Sequence, residues 1–132
     1  YEILGRVIHG EKLGRQLGFP TANVALKRIK APFTGVYAVS LIRKHDPSTK
    51  LLGVANIGVK PTVGNFKPSL EVHLLNFDGD IYGESVSVCF HKKIRDEQRF
   101  DSLDQLKSQI QQDINDAQSS FNKLSCIEQN VN

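Results

Sequence analysis

The sequence predicts a mainly β protein: a six-stranded antiparallel barrel, or a sandwich, with one C-terminal helix packed on it. Short runs of β-branched and aromatic residues, separated by Gly, Pro, Asn and Asp, fill the first ninety residues, which is typical of antiparallel sheets. After Phe100 the apolar residues recur every three or four positions, which indicates a helix. Strands and helices do not alternate in this pattern, which argues against a parallel nucleotide-binding sheet.

The first strands are predicted on either side of a turn. Residues 36–42 and 51–57 are rich in strand formers, and the turn-forming residues 46–49 between them predict a hairpin. Residues 60–68 contain two prolines and a glycine, which predicts a long loop without regular structure. Loops of this length are often lids or binding loops, so we expect this one to close over a ligand.

Two further strands are predicted before the helix. Residues 70–77 form the first, and the Asp78-Gly79 pair that follows is a hairpin turn signal. The second covers residues 84–90, where Val86, Val88 and Phe90 share one face of the strand. That face is expected to point into the core.

The helix is predicted from a single apolar stripe and a capping box. Ser102 followed by Gln105 provides the capping residues. The stripe consists of Leu103, Leu106, Ile110, Ile114, Ala117, Phe121 and Leu124. Each large side chain buried contributes roughly 1.5–3 kcal/mol, so the helix should dock firmly on the barrel. The stripe ends near Ser125, which predicts one domain over residues 1–125 and a frayed tail over 126–132.

Composition narrows the function classes. The chain has 132 residues and a net charge of +3, a mild excess that suits an anionic ligand without indicating nucleic acid. No apolar run approaches the roughly 20 residues of a membrane helix. The two cysteines, Cys89 and Cys126, do not form a disulfide framework, so we expect a reducing, cytoplasmic location.

A glycine-rich segment over residues 10–23 is the richest candidate site. Three glycines spaced by four residues make a flexible loop whose backbone N–H groups can cradle phosphate, and Lys12 and Arg15 add positive charge. Thr21 and Asn23 lie two residues apart, on one side of an extended segment, and offer the hard oxygen ligands that Mg²⁺ prefers. The alternative is a glycine-rich barrel turn with two surface cations.

Two other stretches can carry chemistry. Glu71 lies inside a strand and can serve as a general base that accepts a hydroxyl proton; an exposed surface glutamate is the alternative. His73, on the same face, could serve instead, although a structural role is more common for such a residue. Arg95 and Phe100, at the junction of strand and helix, can hold a planar polar ligand, or they can fix the start of the helix.

Taken together, these pieces resemble the riboflavin kinase family, and in particular the C-terminal kinase module of bacterial bifunctional riboflavin kinase/FAD synthetases. The most specific part is the P-T-A-N signature at residues 20–23, inside the glycine-rich segment. The supporting motifs occur in family order: Gly35-Val36-Tyr37, Asn56-Ile57-Gly58 with Pro61-Thr62, Glu71-Val72-His73, Tyr82-Gly83-Glu84 and Arg95-x-Glu97-x-x-Phe100.

The resemblance implies a Greek-key barrel, Mg²⁺-dependent transfer of phosphate from ATP to riboflavin, and three groups of site residues. Glu71 matches the catalytic glutamate. The positions that match ATP contacts are Gly10, Arg15, Thr21, Asn23, Leu74, Asn76 and Tyr82, of which Thr21 and Asn23 also match metal ligands. The positions that match flavin contacts are Arg95, Gln98 and Phe100.

Two departures and one absence qualify this resemblance. Some relatives have proline where Asp96 stands and lysine where Gln98 stands, so the backbone entry and one flavin contact can differ. The H-x-G-H signature of nucleotidyl transfer does not occur in the sequence. The resemblance to the bifunctional enzymes implies that an N-terminal adenylyltransferase domain is linked to this module in the full-length protein. The competing interpretations are a flavin-binding barrel without catalysis and a barrel that grips single-stranded nucleic acid, although the latter usually exposes more aromatic residues.

Overall fold

The computed structural model describes residues 2–8, 18–26, 34–62 and 65–131, with the side chains of 60–67 and 123–131 excepted. The six strands and the helix are β1 (Glu2–Ile8), β2 (Ala22–Val24), β3 (Gly35–Arg43), β4 (Asp46–Thr62), β5 (Asn65–Leu74), β6 (Ser85–Arg95) and α1 (Leu103–Val131). The four strands and the helix that the sequence places along the chain are present, and two strands that it does not place, β1 and β2, precede them.

The strands close into an antiparallel barrel in the spatial order β1-β2-β5-β4-β3-β6. The hairpin-connected strands β3, β4 and β5 are neighbours, and β2 lies beside β5. Pairing of β1 with both β2 and β6 completes the closure. The predicted six-stranded antiparallel barrel with a C-terminal helix is therefore confirmed.

Alternate residues of each strand fill the barrel interior, as the period of two requires. On β6, Val86, Val88 and Phe90 belong to the buried core, so the predicted inward face of this strand is confirmed. On β5, Leu70 and Val72 are buried in the same core. The intervening residues of β5, including Glu71, consequently point to the outer surface of the barrel.

The first predicted hairpin exists, but its turn was placed three residues too late. Lys44 and His45 form the turn, and Arg43 pairs with Asp46 across it. The next pair in register is Ile42 with Lys50, so residues 47–49 bulge out of the ladder. Pro47 is accommodated in this bulge, where no ladder hydrogen bond from its nitrogen is needed.

The prediction of a long irregular loop at residues 60–68 was wrong. These residues belong to the paired ends of β4 and β5, with Val59 opposite Pro68 and Pro61 opposite Phe66. In the part of the chain that the structure describes, β3 pairs with β4 only up to Ile57 and β2 pairs with β5 only from Leu70. Beyond these positions β4 and β5 pair only with each other among the described residues, and strand edges of this kind tolerate proline.

The hairpin predicted at Asp78-Gly79 was also wrong, because β5 and β6 are not neighbours. The chain instead leaves β5 and follows a ten-residue connection to β6, over residues 75–84. Buried Ile81 anchors this connection to the core. The Asp80 carboxylate accepts a hydrogen bond of 2.9 Å from the backbone N–H of Tyr82, which is the local turn that aspartate favours.

The helix packs on the outer surface of β3, β4 and β6. Ala117 and Phe121 are buried against Ala38 of β3, and the predicted cap forms, with the Gln105 N–H donating to Ser102 Oγ at 3.2 Å. Leu103, predicted as part of the buried stripe, is 57% exposed because it lies on the first turn, ahead of the docked part. The helix runs to Val131, beyond the end of the apolar pattern. The domain division at Ser125 stays a prediction.

Candidate active site

A cavity of about 570 Å³ lies at one end of the barrel, between β1, β2, the end of β5 and the connection to β6. Five residues that the sequence assigns to nucleotide binding line it: Thr21, Asn23, Leu74, Asn76 and Tyr82. Tyr82 is 52% exposed at its rim. Asn76 has φ 54°, a left-handed conformation that asparagine adopts more readily than most residues. We call this space the first cavity.

A second cavity, of about 550 Å³, lies outside the barrel wall, between the strands, the segment 95–100 and the first half of α1. Its lining includes Glu71 and all three residues that the sequence assigns to the flavin, Arg95, Gln98 and Phe100. Apolar side chains from the strands and helix complete it: Phe19, Val36, Val54, Leu106, Ile110 and Ile114. An apolar cleft with a few polar groups is typical of a site for a flat organic ligand.

The two cavities meet on the outer surface at the start of β2. In the described part of the chain, Thr21 and His73 are the residues that line both. Two positions further along, Asn23 of β2 is directly opposite Glu71 of β5. Side chains at such opposed positions lie on the same face, with Cβ atoms roughly 4.5–5.5 Å apart. The Glu71 carboxylate therefore sits at the boundary, beside a residue of the first cavity.

The charges around the two cavities differ. Among the lining residues that the structure describes, the first cavity has Asp78 and Asp80 but no lysine or arginine. An anionic ligand there would need a cation from elsewhere, either a metal ion or a basic group of the glycine-rich segment. Gly10, Lys12 and Arg15, predicted for this purpose, lie outside the described residues.

Arg95 lines the second cavity, but its guanidinium is hydrogen-bonded to the helix. Its Nε and Nη2 donate to the two oxygens of Asp113, both at 2.9 Å, and its Nη1 donates to the Asp96 carbonyl at 3.0 Å. The guanidinium also lies 5.7 Å from the centre of the Phe100 ring. This geometry favours the second of the two interpretations of Arg95, in which it fixes the start of the helix.

Asp113 is the residue that the sequence interpretation missed. Its side chain is 4% exposed, and it also accepts a hydrogen bond of 3.0 Å from Gln109 one turn earlier. A signal was present in the sequence, because Asp113 lies three residues after Ile110 and four before Ala117, which places it on the apolar face. A carboxylate on a buried face requires a partner, but the sequence does not identify that partner, because Arg95 lies 18 residues earlier.

The segment 95–100 has two further anchors. Lys93 and Asp96 form an ion pair, and the hydrogen bond between them holds the pKa of Asp96 below, and that of Lys93 above, its ordinary value. A Cβ atom added at Gly58 would overlap the Glu97 carboxylate, so that carboxylate packs directly on the β4 backbone. These two contacts hold the segment 95–100 against the strands.

A barrel with two adjoining cavities, a carboxylate at their boundary and hydroxyl and amide ligands beside it has the layout of a two-substrate transferase. A family model described as Flavokinase: Riboflavin kinase matches residues 1–121. The chain is 56% identical over 115 residues to a bifunctional riboflavin kinase/FMN adenylyltransferase of Pseudomonas fluorescens, covering 86% of this chain. The chain therefore belongs to the riboflavin kinase family.

One similar solved structure is described as a riboflavin kinase, and another is described differently. Riboflavin kinase from Trypanosoma brucei superposes with a TM-score of 0.65 at 25% identity, covering 92% of this chain and 80% of that one. A Streptococcus pneumoniae structure described as a macrolide-efflux protein superposes with a TM-score of 0.79 at 36% identity, over 89% of this chain and 38% of that one.

The matched part of this chain corresponds to only 36% of the length of the Pseudomonas relative. Within the described residues, no helix is long and apolar enough to cross a membrane.

Proposed function

We propose that this chain is a riboflavin kinase module, which transfers the γ-phosphoryl group of ATP to the 5′-hydroxyl of riboflavin and releases FMN and ADP. The observation that carries the proposal is the pairing of Asn23 with Glu71 at the boundary of the two cavities. The first cavity would hold the nucleotide, and the second would hold riboflavin, whose flat ring suits the apolar walls. The acceptor hydroxyl and the γ-phosphate would meet at that boundary.

Each group at the boundary has a defined task in this reaction. The oxygen of the riboflavin hydroxyl would attack the γ-phosphorus while Glu71 accepts the hydroxyl proton. The bond between the γ-phosphorus and the β-phosphate oxygen would break in the same step and release ADP. Thr21 and Asn23 would hold Mg²⁺ through neutral oxygens. Such a set fits an ion that arrives with the phosphates and keeps part of its water shell. When bound, the ion neutralises phosphate charge that the described lining of the first cavity leaves uncompensated.

The full-length protein is proposed to be bifunctional. In the relatives that carry the double name the match covers only 36% of the length, which leaves room for an adenylyltransferase domain linked to the kinase module. Cys89 is a free thiol, which suits the reducing conditions of the cytoplasm.

Asn23→Ala should weaken binding of Mg²⁺–ADP about tenfold or more while leaving riboflavin binding unchanged, because only the first cavity loses a ligand. Titration calorimetry with each ligand separately measures this. A barrel that binds flavin without catalysis would bind riboflavin but not Mg²⁺–ADP, and a nucleic-acid-binding barrel would bind neither. Unchanged nucleotide affinity in the variant would contradict the role of Asn23.

Gly58→Ala should weaken riboflavin binding about three- to tenfold, because the added methyl group displaces Glu97 and with it the segment 95–100. Thermal unfolding should change little, since the displaced group is an exposed, flexible side chain. The control is the double variant with Glu97→Ala. If the effect runs through Glu97, Gly58→Ala should add nothing in that background; an equal loss in both backgrounds would sink the explanation.

A further inference from the structure

His73 touches the segment that enters β2. Its Nδ1 lies 2.8 Å from the carbonyl oxygen of Pro20, and its ring makes an edge contact with the ring of Phe19 at 5.7 Å between centres. Both contacted residues precede Thr21, which with His73 borders both cavities. One side chain on β5 therefore contacts both Phe19 and Pro20, at the start of the P-T-A-N signature.

The chemistry of the contact fixes the role of each ring nitrogen. A carbonyl oxygen can only accept a hydrogen bond, so Nδ1 must carry the proton and donate it. The bond to Pro20 therefore depends on Nδ1 and not on Nε2.

Residues 19–21 lie outside the β2–β5 ladder. The β2–β5 ladder begins at Ala22, and among the described residues no backbone hydrogen bond outside the strands involves residues 19–21. The bond from His73 thus ties Pro20 to β5 just where the strand pairing stops. The carbonyl that this bond engages belongs to the peptide between Pro20 and Thr21.

We propose that His73 is a positioning residue for phosphate transfer: its Nδ1–H fixes the Pro20 carbonyl and so holds Thr21 at the junction of the cavities. The inference deepens the proposed kinase function and rests on it for the identity of the nucleotide. It assigns His73 no part in proton transfer to or from the substrate. It also separates the two members of the Glu71-x-His73 pair into a base and a positioning residue.

Three substitutions at His73 separate the two ring nitrogens. The amide nitrogen of asparagine can take the place of Nδ1, that of glutamine can take the place of Nε2, and alanine offers neither. His73→Asn should bind Mg²⁺–ADP within about twofold of the unchanged protein, whereas His73→Ala and His73→Gln should bind about tenfold more weakly, the size expected for one lost hydrogen bond. His45→Ala, at an exposed histidine of the β3–β4 turn, is the matched control and should bind normally.

A second measurement needs no ligand and so does not depend on the proposed function. Amide hydrogen exchange at residues 21–23 should accelerate in His73→Ala and His73→Gln but not in His73→Asn. Unchanged exchange in His73→Ala would overturn the proposal, as would nucleotide binding that His73→Gln preserves and His73→Asn loses. If the unchanged chain binds Mg²⁺–ADP but forms no FMN, the kinase function fails while the exchange result still decides the role of His73.

Discussion

Glu71→Gln should lower the rate of FMN formation by about 10²–10⁴-fold, the usual contribution of a positioned general base. The substitution keeps the size of the side chain and its ability to form hydrogen bonds, but the amide cannot accept the hydroxyl proton. The measurement is turnover at saturating ATP, Mg²⁺ and riboflavin, with FMN separated from riboflavin by chromatography.

Binding measurements on the same variant show whether the loss lies in the chemical step. Glu71→Gln should bind Mg²⁺–ADP and riboflavin nearly normally, because Glu71 sits at the boundary rather than deep in either cavity. Glu2→Gln is a suitable control, since that carboxylate lies on β1, where it bonds to Ser87, and should leave turnover unchanged. Near-normal turnover in Glu71→Gln would remove it as the base.

Asp113→Ala should cost about 3–5 kcal/mol of unfolding free energy, the range for breaking a buried ion pair from one side. The carboxylate that pairs with Nε and Nη2 of Arg95 is lost, and the Arg95 side chain, only 19% exposed, keeps its charge. Chemical denaturation at neutral pH measures the change. A loss below about 1 kcal/mol would place the pair with the weak surface ion pairs instead.

Replacing both partners tests a different property of this pair. Arg95→Met with Asp113→Leu should recover most of the lost stability, because apolar side chains of similar volume often substitute well for a buried pair. The sequence assigns Arg95 a flavin contact, whereas the structure shows its donors turned to Asp113 and Asp96. A stable double variant that still binds riboflavin would make Arg95 structural. A stable double variant that no longer binds riboflavin would support a direct contact.

The sequence was informative wherever a local pattern decides the outcome. The alternation in residues 84–90 and the stripe in α1 identified core faces because burial imposes periods of 2 and 3.6 on apolar residues. Of the described residues that family motifs assign, those for the flavin line the second cavity and those for the nucleotide line the first, with Thr21 lining both. Their chemical roles stay predictions, as do the assignments of Gly10 and Arg15.

Predictions failed where pairing between distant segments decides the structure. Asp78-Gly79 carries a sound hairpin signal, but the strands on either side pair with other strands, so the turn closes no hairpin. The prolines at 61 and 68 argued for a loop, yet β4 and β5 pair only with each other there among the described residues, and such strand edges require no donor from them. The Arg95–Asp113 bond joins residues 18 apart in sequence, and only the docking of α1 against β6 brings them together.

Transfer of label from γ-³²P-ATP to riboflavin by this chain tests the central claim most directly. With Mg²⁺ present, the label should appear in FMN in amounts exceeding the enzyme many times, and it should be lost in Glu71→Gln and when Mg²⁺ is chelated. Label that appears only as inorganic phosphate, or an unlabelled flavin after prolonged incubation of folded protein that binds both ligands, would contradict the assignment of the two cavities to donor and acceptor.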